Sequence, residues 1–192
     1  MVVDVARGAG QRTVVVRHPM PYGILQEQAG LFSVEDLAVH HTTIEEREEY
    51  EQHINNGAVV FAGVDYAAIL SAAEAEADIV LWDGGNNDLP FFKPDLWIVV
   101  ADPFRPTAQA SYYPGDVNFT RAAIIVVNKA NTAPQEGVEA VLASAKRLNP
   151  NALVFCTSSE VVAADPSAIA SKRVVVVEDG PTLTHGGMPT GK

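Results

Sequence analysis

The chain has 192 residues, 47% of them hydrophobic and 19% charged, which is enough for one apolar core and leaves little room for long disordered tracts. Its formal net charge of -11 argues against a nucleic-acid partner, whose phosphate backbone that field repels, yet a small nucleotide stays compatible where backbone N–H groups and local cations neutralise its phosphates. The single cysteine, Cys156, excludes an intrachain disulfide and a cysteine-rich metal site, no apolar run is long enough to span a membrane, and no signal pattern follows Met1, so one soluble cytoplasmic domain is expected.

Taken along the chain, apolar β-branched runs recur at residues 13–16, 58–61, 79–82, 96–100, 123–127, 153–155 and 173–177. Continuous runs of this kind are what strands covered on both faces look like. A helix is expected over 44–54, where Thr43 and Glu46 make a capping-box pattern, and its acidic run reads as a solvated face. Further helices are expected over 66–75, behind Asp65 as a cap, and over 137–148, stopped by Asn149 and Pro150. Alternating strands and helices predict right-handed crossovers and one mainly parallel sheet flanked by helices, an α/β three-layer sandwich. Residues 103–120 form a long Pro/Tyr-rich connection of the kind that often carries function. Both ends of the chain look cut, with glycines at 8 and 10 before the first run and a Gly-rich tail after the last.

Ligands of open parallel sheets bind beyond the carboxyl ends of the strands, so the residues that follow each run are the candidates. They are His18; Asp83 with Gly84, Gly85, Asn86, Asn87 and Asp88; Asp102 with Arg105; Asn128 and Lys129; Thr157; and Asp179. An aspartate closing an apolar strand is how nucleoside triphosphatases hold Mg²⁺, and glycines after it let backbone N–H groups approach a terminal phosphate. Asp83 is therefore the first metal candidate, against the alternative of an Asp-Gly-Gly turn in which it caps its own backbone. Asn128-Lys129-Ala130-Asn131 resembles the guanine-reading Asn-Lys-x-Asp motif, with an amide at Asn131 where a carboxylate would accept both guanine N–H groups. Arg105, held between Pro103 and Pro106, is either a phosphate clamp or a surface ion-pair partner. His18 reads as a proton donor, a phosphate ligand or a strand-end histidine satisfied by backbone, His185 is a candidate through the glycines at 186 and 187 beside it, and the His40-His41 pair lacks partners at metal spacing. Gly186 to Lys192 matches the spacing of a P-loop without its flanking strand and helix and is read as a Gly-rich turn.

Seven segments together resemble the predicted GTPases related to cyclic 2,3-diphosphoglycerate synthetase: residues 18–23, 43–50, 82–88, 102–106, 113–116, 128–133 and 178–188. The resemblance runs over nearly the whole chain. It implies a P-loop fold using Mg²⁺ and ATP or GTP, with His18, Asp102, Arg105 and His185 toward a small anionic phosphorylated substrate, Gly84, Gly85, Asn128, Lys129 and Asn131 toward the nucleotide, and Asp83 at the metal. In the synthetase branch, triphosphate hydrolysis closes an intramolecular phosphoanhydride. Asn131 departs from the Asp more usual in the family, and Thr107-Ala108-Gln109 stands where a Gly-His-Glu-like run is expected. The family's phosphate-binding loop belongs before the run at residue 13, so the chain resembles the family without its first strand, P-loop and helix. Two readings follow: part of an NTP-dependent hydrolase or ligase that is poorly active alone, or a nonenzymatic module that recognises a nucleotide or phosphometabolite, with self-association left open.

Overall fold

The apolar runs become strands because helices cover them. In the computed structural model, which describes residues 2–18, 29–31, 33–85, 88–160 and 162–175, α1 (Val2–Gly8) leads into β1 (Thr13–Arg17). Then come β2 (Ala29–Leu31), α2 (Val34–Val39), α3 (Ile44–Asn55), β3 (Val59–Ala62), α4 (Tyr66–Glu76) and β4 (Ile79–Asp83). The second half holds β5 (Ile98–Ala101), α5 (Ala108–Ser111), α6 (Gly115–Arg121), β6 (Ile124–Val127), α7 (Gln135–Leu148) and β7 (Leu153–Cys156). These belong to one compact unit, Met1–Ser158; a second, Ser159–Lys192, contains α8 (Pro166–Ile169), whose N-terminus is capped by the Asp165 carboxylate.

The parallel α/β architecture with flanking helices is the one expected, but among the described residues the strands form two sheets rather than one. The first has the order β2-β3-β1-β4, with β3, β1 and β4 parallel and β2 antiparallel at its edge. The second is β5-β6-β7, wholly parallel. β4 and β5 are not hydrogen-bonded neighbours, and the described residues of the connection between them contain no helix. The run expected at 173–177 forms no strand over 173–175, and the rest of it lies outside the described residues.

β1 is buried along its middle because both of its faces are packed. Val15 and Val60 meet Leu37 of α2 and Tyr50 and Ile54 of α3, with Val3 of α1 alongside. On the opposite face Val14, Val16 and Phe61 meet Ile69 and Ala73 of α4. In the second sheet Ile125 and Val127 pack against Phe119 of α6 and Val138, Val141 and Ala145 of α7. The connection over 103–120, expected as an irregular loop, contains α5 and α6; the burial of Asn118 and Phe119 holds α6 in place although no side chain caps its start.

The capping box of α3 forms as its sequence specifies, Thr43 Oγ1 accepting from the Glu46 N–H at 3.2 Å and Glu46 Oε2 accepting from the Thr43 N–H at 2.9 Å. At the start of α7, Gly137 lies so close to the chain after β5 that a methyl group there would overlap the Pro103 carbonyl oxygen. Among the described residues, no helix is long and apolar enough to cross a membrane.

Candidate functional site

Parallel register places the last residues of β1 and β4 side by side, Arg17 opposite Asp83. The Arg17 side chain is 15% exposed. It donates through Nη1 to the Asp83 carbonyl oxygen at 2.7 Å, lies 3.3 Å from Asp83 Oδ2, and pairs through Nη2 with Glu49 of α3. One turn further along α3, His53 Nε2 stands 2.8 Å from the same Asp83 Oδ2. One strand-end carboxylate is thus gripped from two sides, by a guanidinium on the neighbouring strand and by an imidazole from the helix above. Burial opposes ionisation of Asp83, but the His53 hydrogen bond and the Arg17 charge outweigh it and hold its carboxyl below the ordinary range. Burial likewise works against the charge on Arg17, and the bond to Glu49 with the charge of Asp83 more than offsets it. Burial, reinforced by Glu46 and Glu49, pushes the neighbouring Tyr50 hydroxyl well above its usual value.

The turn after Asp83 differs from the self-capped Asp-Gly-Gly alternative. Asp88, not Asp83, closes it: Asp88 Oδ2 accepts from the Gly85 N–H at 2.9 Å and the Asp88 N–H donates to the Gly85 carbonyl at 3.2 Å. Gly84 and Gly85 are exposed. Beyond the turn, Phe91 stacks on Tyr66 with ring centroids 4.2 Å apart, and Phe92 meets Trp82 edge-on at 5.5 Å.

A second polar group sits at the carboxyl ends of β5, β6 and β7. Asp102 Oδ1 accepts from the Phe104 N–H at 3.0 Å, while Oδ2 is 3.9 Å from Lys129 Nζ and 4.0 Å from Arg105 Nη2. Lys129 has φ of 57°, a left-handed conformation unfavourable for a residue with Cβ, and its ammonium lies 6.0 Å from the Phe104 ring centre. Asn128 Oδ1 accepts from Thr157 Oγ1 at 3.1 Å, and the Ala130 N–H donates to the Thr157 carbonyl at 3.0 Å, so the 128–131 turn is pinned to the end of β7. Asn131 is exposed on that turn.

The expected single cluster on one sheet edge is therefore two groups on two sheets, one around Asp83 and one around Asp102, Arg105, Asn128 and Lys129. His18 follows β1 directly and is half-buried. His185, Asn86, Asn87 and Asp179 lie outside the described residues. Sequence reasoning missed Arg17, Glu49 and His53. Their available signal was that Arg17 ends a buried strand and that Glu49 and His53, four residues apart, share one face of α3. A surface cavity lined by Val3, Arg7, Arg12, Thr13, Gly57 and Val59 opens at the amino ends of β1 and β3, away from these groups.

The metal expectation is narrowed by the same contacts. Among the described residues no three His, Cys, Asp or Glu side chains converge on a point. Asp83 Oδ2 is engaged by His53, with the positive charge of Arg17 3.3 Å away. These side chains alone do not fit a resident divalent ion.

No family model matches the chain. A solved structure of HypB from Helicobacter pylori in complex with nickel is similar with a TM-score of 0.49 and 15% identity, over 81% of this chain and 70% of that one. The chain is 52% identical over 192 residues to "Arginine synthetase ArcE" of Thermococcus kodakarensis, a match that covers 99% of this chain and 43% of that relative, so it spans less than half of the relative's length.

Proposed function

We propose that this chain is the nucleotide-handling part of a triphosphate-dependent synthetase, a ligase that activates a small anionic metabolite and joins it to a second substrate. The observation that carries the reading is the pair of charged groups at the carboxyl ends of parallel strands, Arg17 with Asp83 and Lys129 with Asp102, in a chain 52% identical to a synthetase. A synthetase joins two molecules at a cost in free energy, and triphosphate cleavage is the usual way to drive such a step. In this reading Asn128, Lys129 and Asn131 lie toward the base of ATP or GTP, Gly84 and Gly85 toward its phosphates, and Arg105, Asp102, His18 and His185 toward the anionic substrate. The resemblance to the GTPases related to cyclic 2,3-diphosphoglycerate synthetase supports use of a triphosphate; the synthetase-named relative supports an amino-acid product over a phosphoanhydride.

The Asp83 group does chemistry only through what it holds in place. Arg17 and His53 keep its carboxylate ionised and fix one oxygen, which leaves the other available to orient a water or a ligand's donor. Binding of ATP and of GTP, followed by product formation in a polypeptide of the relative's full length, tests the reading. Consumption of triphosphate in step with a new amino acid is the expected result. Binding of a phosphometabolite with no triphosphate consumed under any substrate would instead favour the nonenzymatic module.

A further inference from the structure

We infer that Asn118 of α6 is a positioning residue for the Gly84-Gly85 turn: it holds Asp88, Asp88 holds Gly85, and the exposed backbone of the turn is thereby fixed where it meets the phosphates of a triphosphate. The part played by the triphosphate rests on the nucleotide reading above, whereas the link from Asn118 to the turn rests on geometry alone.

The hydrogen bonds run in series. Asn118 Nδ2 donates to the Asp88 carbonyl oxygen at 2.9 Å. Asp88 in turn closes on Gly85 twice, its carboxylate accepting from the Gly85 N–H at 2.9 Å and its own N–H donating to the Gly85 carbonyl at 3.2 Å. Gly84 is wedged against the same residue, since a Cβ there would stand 2.6 Å from Trp82 Nε1 and 3.3 Å from Asp88 Cβ. A shift of Asp88 therefore moves both glycines. Both are exposed, and without a Cβ they let a phosphate come close to the backbone.

Asn118 itself is anchored, because α6 is fastened to the core of the second sheet. Phe119 beside it is fully buried among residues of β6 and α7, and Asn149 Nδ2 donates to the Phe119 and Ala122 carbonyls at 3.0 and 2.8 Å. The turn at the end of β4 thus takes its position from the second sheet, whose own strand ends carry Asp102 with Arg105 and Lys129. Groups on two sheets that act on one reaction must keep their spacing to within about 1 Å. The contact of Asn118 with Asp88 sets that spacing.

Packing does not account for an asparagine at this place. The residue is 9% exposed, and among the described residues its Oδ1 is buried with no hydrogen-bond partner. A buried acceptor left unpaired opposes folding, and a leucine of the same branched outline would avoid that cost. What the amide contributes is its donor, and the donor goes to Asp88.

Asn118→Leu removes the donor and keeps the outline, and Asn118→Ala takes its place if circular dichroism shows that the leucine variant does not fold. Thr120→Ala is the control, since it takes the bond to the Asp116 carbonyl from the same helix without touching the turn. In this chain, amide exchange at Gly85 should speed up roughly tenfold in the Asn118 variant, with Val141 and Ala145 unchanged, and should not change in Thr120→Ala. In a polypeptide of the relative's full length carrying the same substitution, the KM for the triphosphate should rise roughly tenfold while the KM for the other substrate stays the same. A merely structural residue would instead lower the melting temperature and kcat and leave both KM values alone. Unchanged exchange at Gly85 overturns the link, and faster exchange with an unchanged triphosphate KM overturns the positioning role. If the unsubstituted polypeptide consumes no triphosphate, the nucleotide reading falls and takes the role of the turn with it, while the Gly85 measurement still decides the link.

Discussion

At the scale of single residues, the Asp83 group shows what sequence patterns miss. Arg17 and Asp83 are 66 positions apart and His53 and Asp83 are 30 apart, so no local motif joins them. Asp83 itself was legible as the polar end of an apolar strand, whereas the acidic run of α3 was expected as solvated face and in fact supplies Glu49 to Arg17. Arg17→Met leaves both carboxylates without their cation, and with Asp83 about a third exposed the loss should be about 2 kcal/mol, measured as a shift in denaturant midpoint. The folded-state pKa of Asp83 lies below its unfolded value, so its contribution to stability is complete above about pH 4 and disappears as pH falls through the folded value. Melting curves between pH 2.5 and 6 should show the difference between wild type and Asp83→Asn narrowing toward acid; a constant difference would mean that the Asp83 charge is not what Arg17 and His53 stabilise. Asn131 offers a further test of the 128–131 turn. If it reads a purine, Asn131→Asp supplies a carboxylate to both guanine N–H groups and should raise GTP over ATP preference roughly tenfold, as competition binding would show.

At the scale of elements, periodicity placed the strands and helices with strong local signals within a few residues of where they form. α3 was expected over 44–54 and spans Ile44–Asn55, and α4 was expected over 66–75 and spans Tyr66–Glu76, because a side-chain cap fixes each start. α6 stayed hidden because its seven residues have no capping side chain and are held by tertiary burial of Phe119 and by Asn149, whose Nδ2 donates to the Phe119 and Ala122 carbonyls at 3.0 and 2.8 Å. β2 was hidden for a similar reason, being three residues held by pairing with β3. The packing of α7 on the Asp102 loop depends on one missing side chain. Gly137→Ala drives a methyl against the Pro103 carbonyl, which is backbone and cannot rotate away. The helix and loop must separate, at a cost of roughly 1 to 3 kcal/mol. Chemical denaturation measures that cost, and the Lys129 and Asp102 resonances should move with it; a variant as stable as wild type would show that the close approach is not fixed.

At the scale of the whole molecule, the strands of the described residues form two sheets, and these 192 residues contain no complete Gly-x-x-x-x-Gly-Lys-Ser/Thr pattern. The one Gly-x-x-x-x-Gly-Lys spacing within them spans residues 186–192. Phosphoryl transfer from a triphosphate is almost wholly a matter of positioning and charge stabilisation, and the backbone cradle and lysine that hold the β- and γ-phosphates supply much of both. Arg105 and Lys129 could bind phosphate charge, yet each faces Asp102 at about 4 Å, which offsets part of their attraction for an anion. The 192-residue chain alone should therefore release phosphate from ATP or GTP at well under about 1 per second, below the ordinary enzyme range. A polypeptide of the relative's length, carrying these same residues, should exceed that rate when its substrates are present. Phosphate release by the purified chain, with Asp83→Asn as the control, decides the matter: fast turnover that depends on Asp83 would mean that the catalytic phosphate site is complete within these residues.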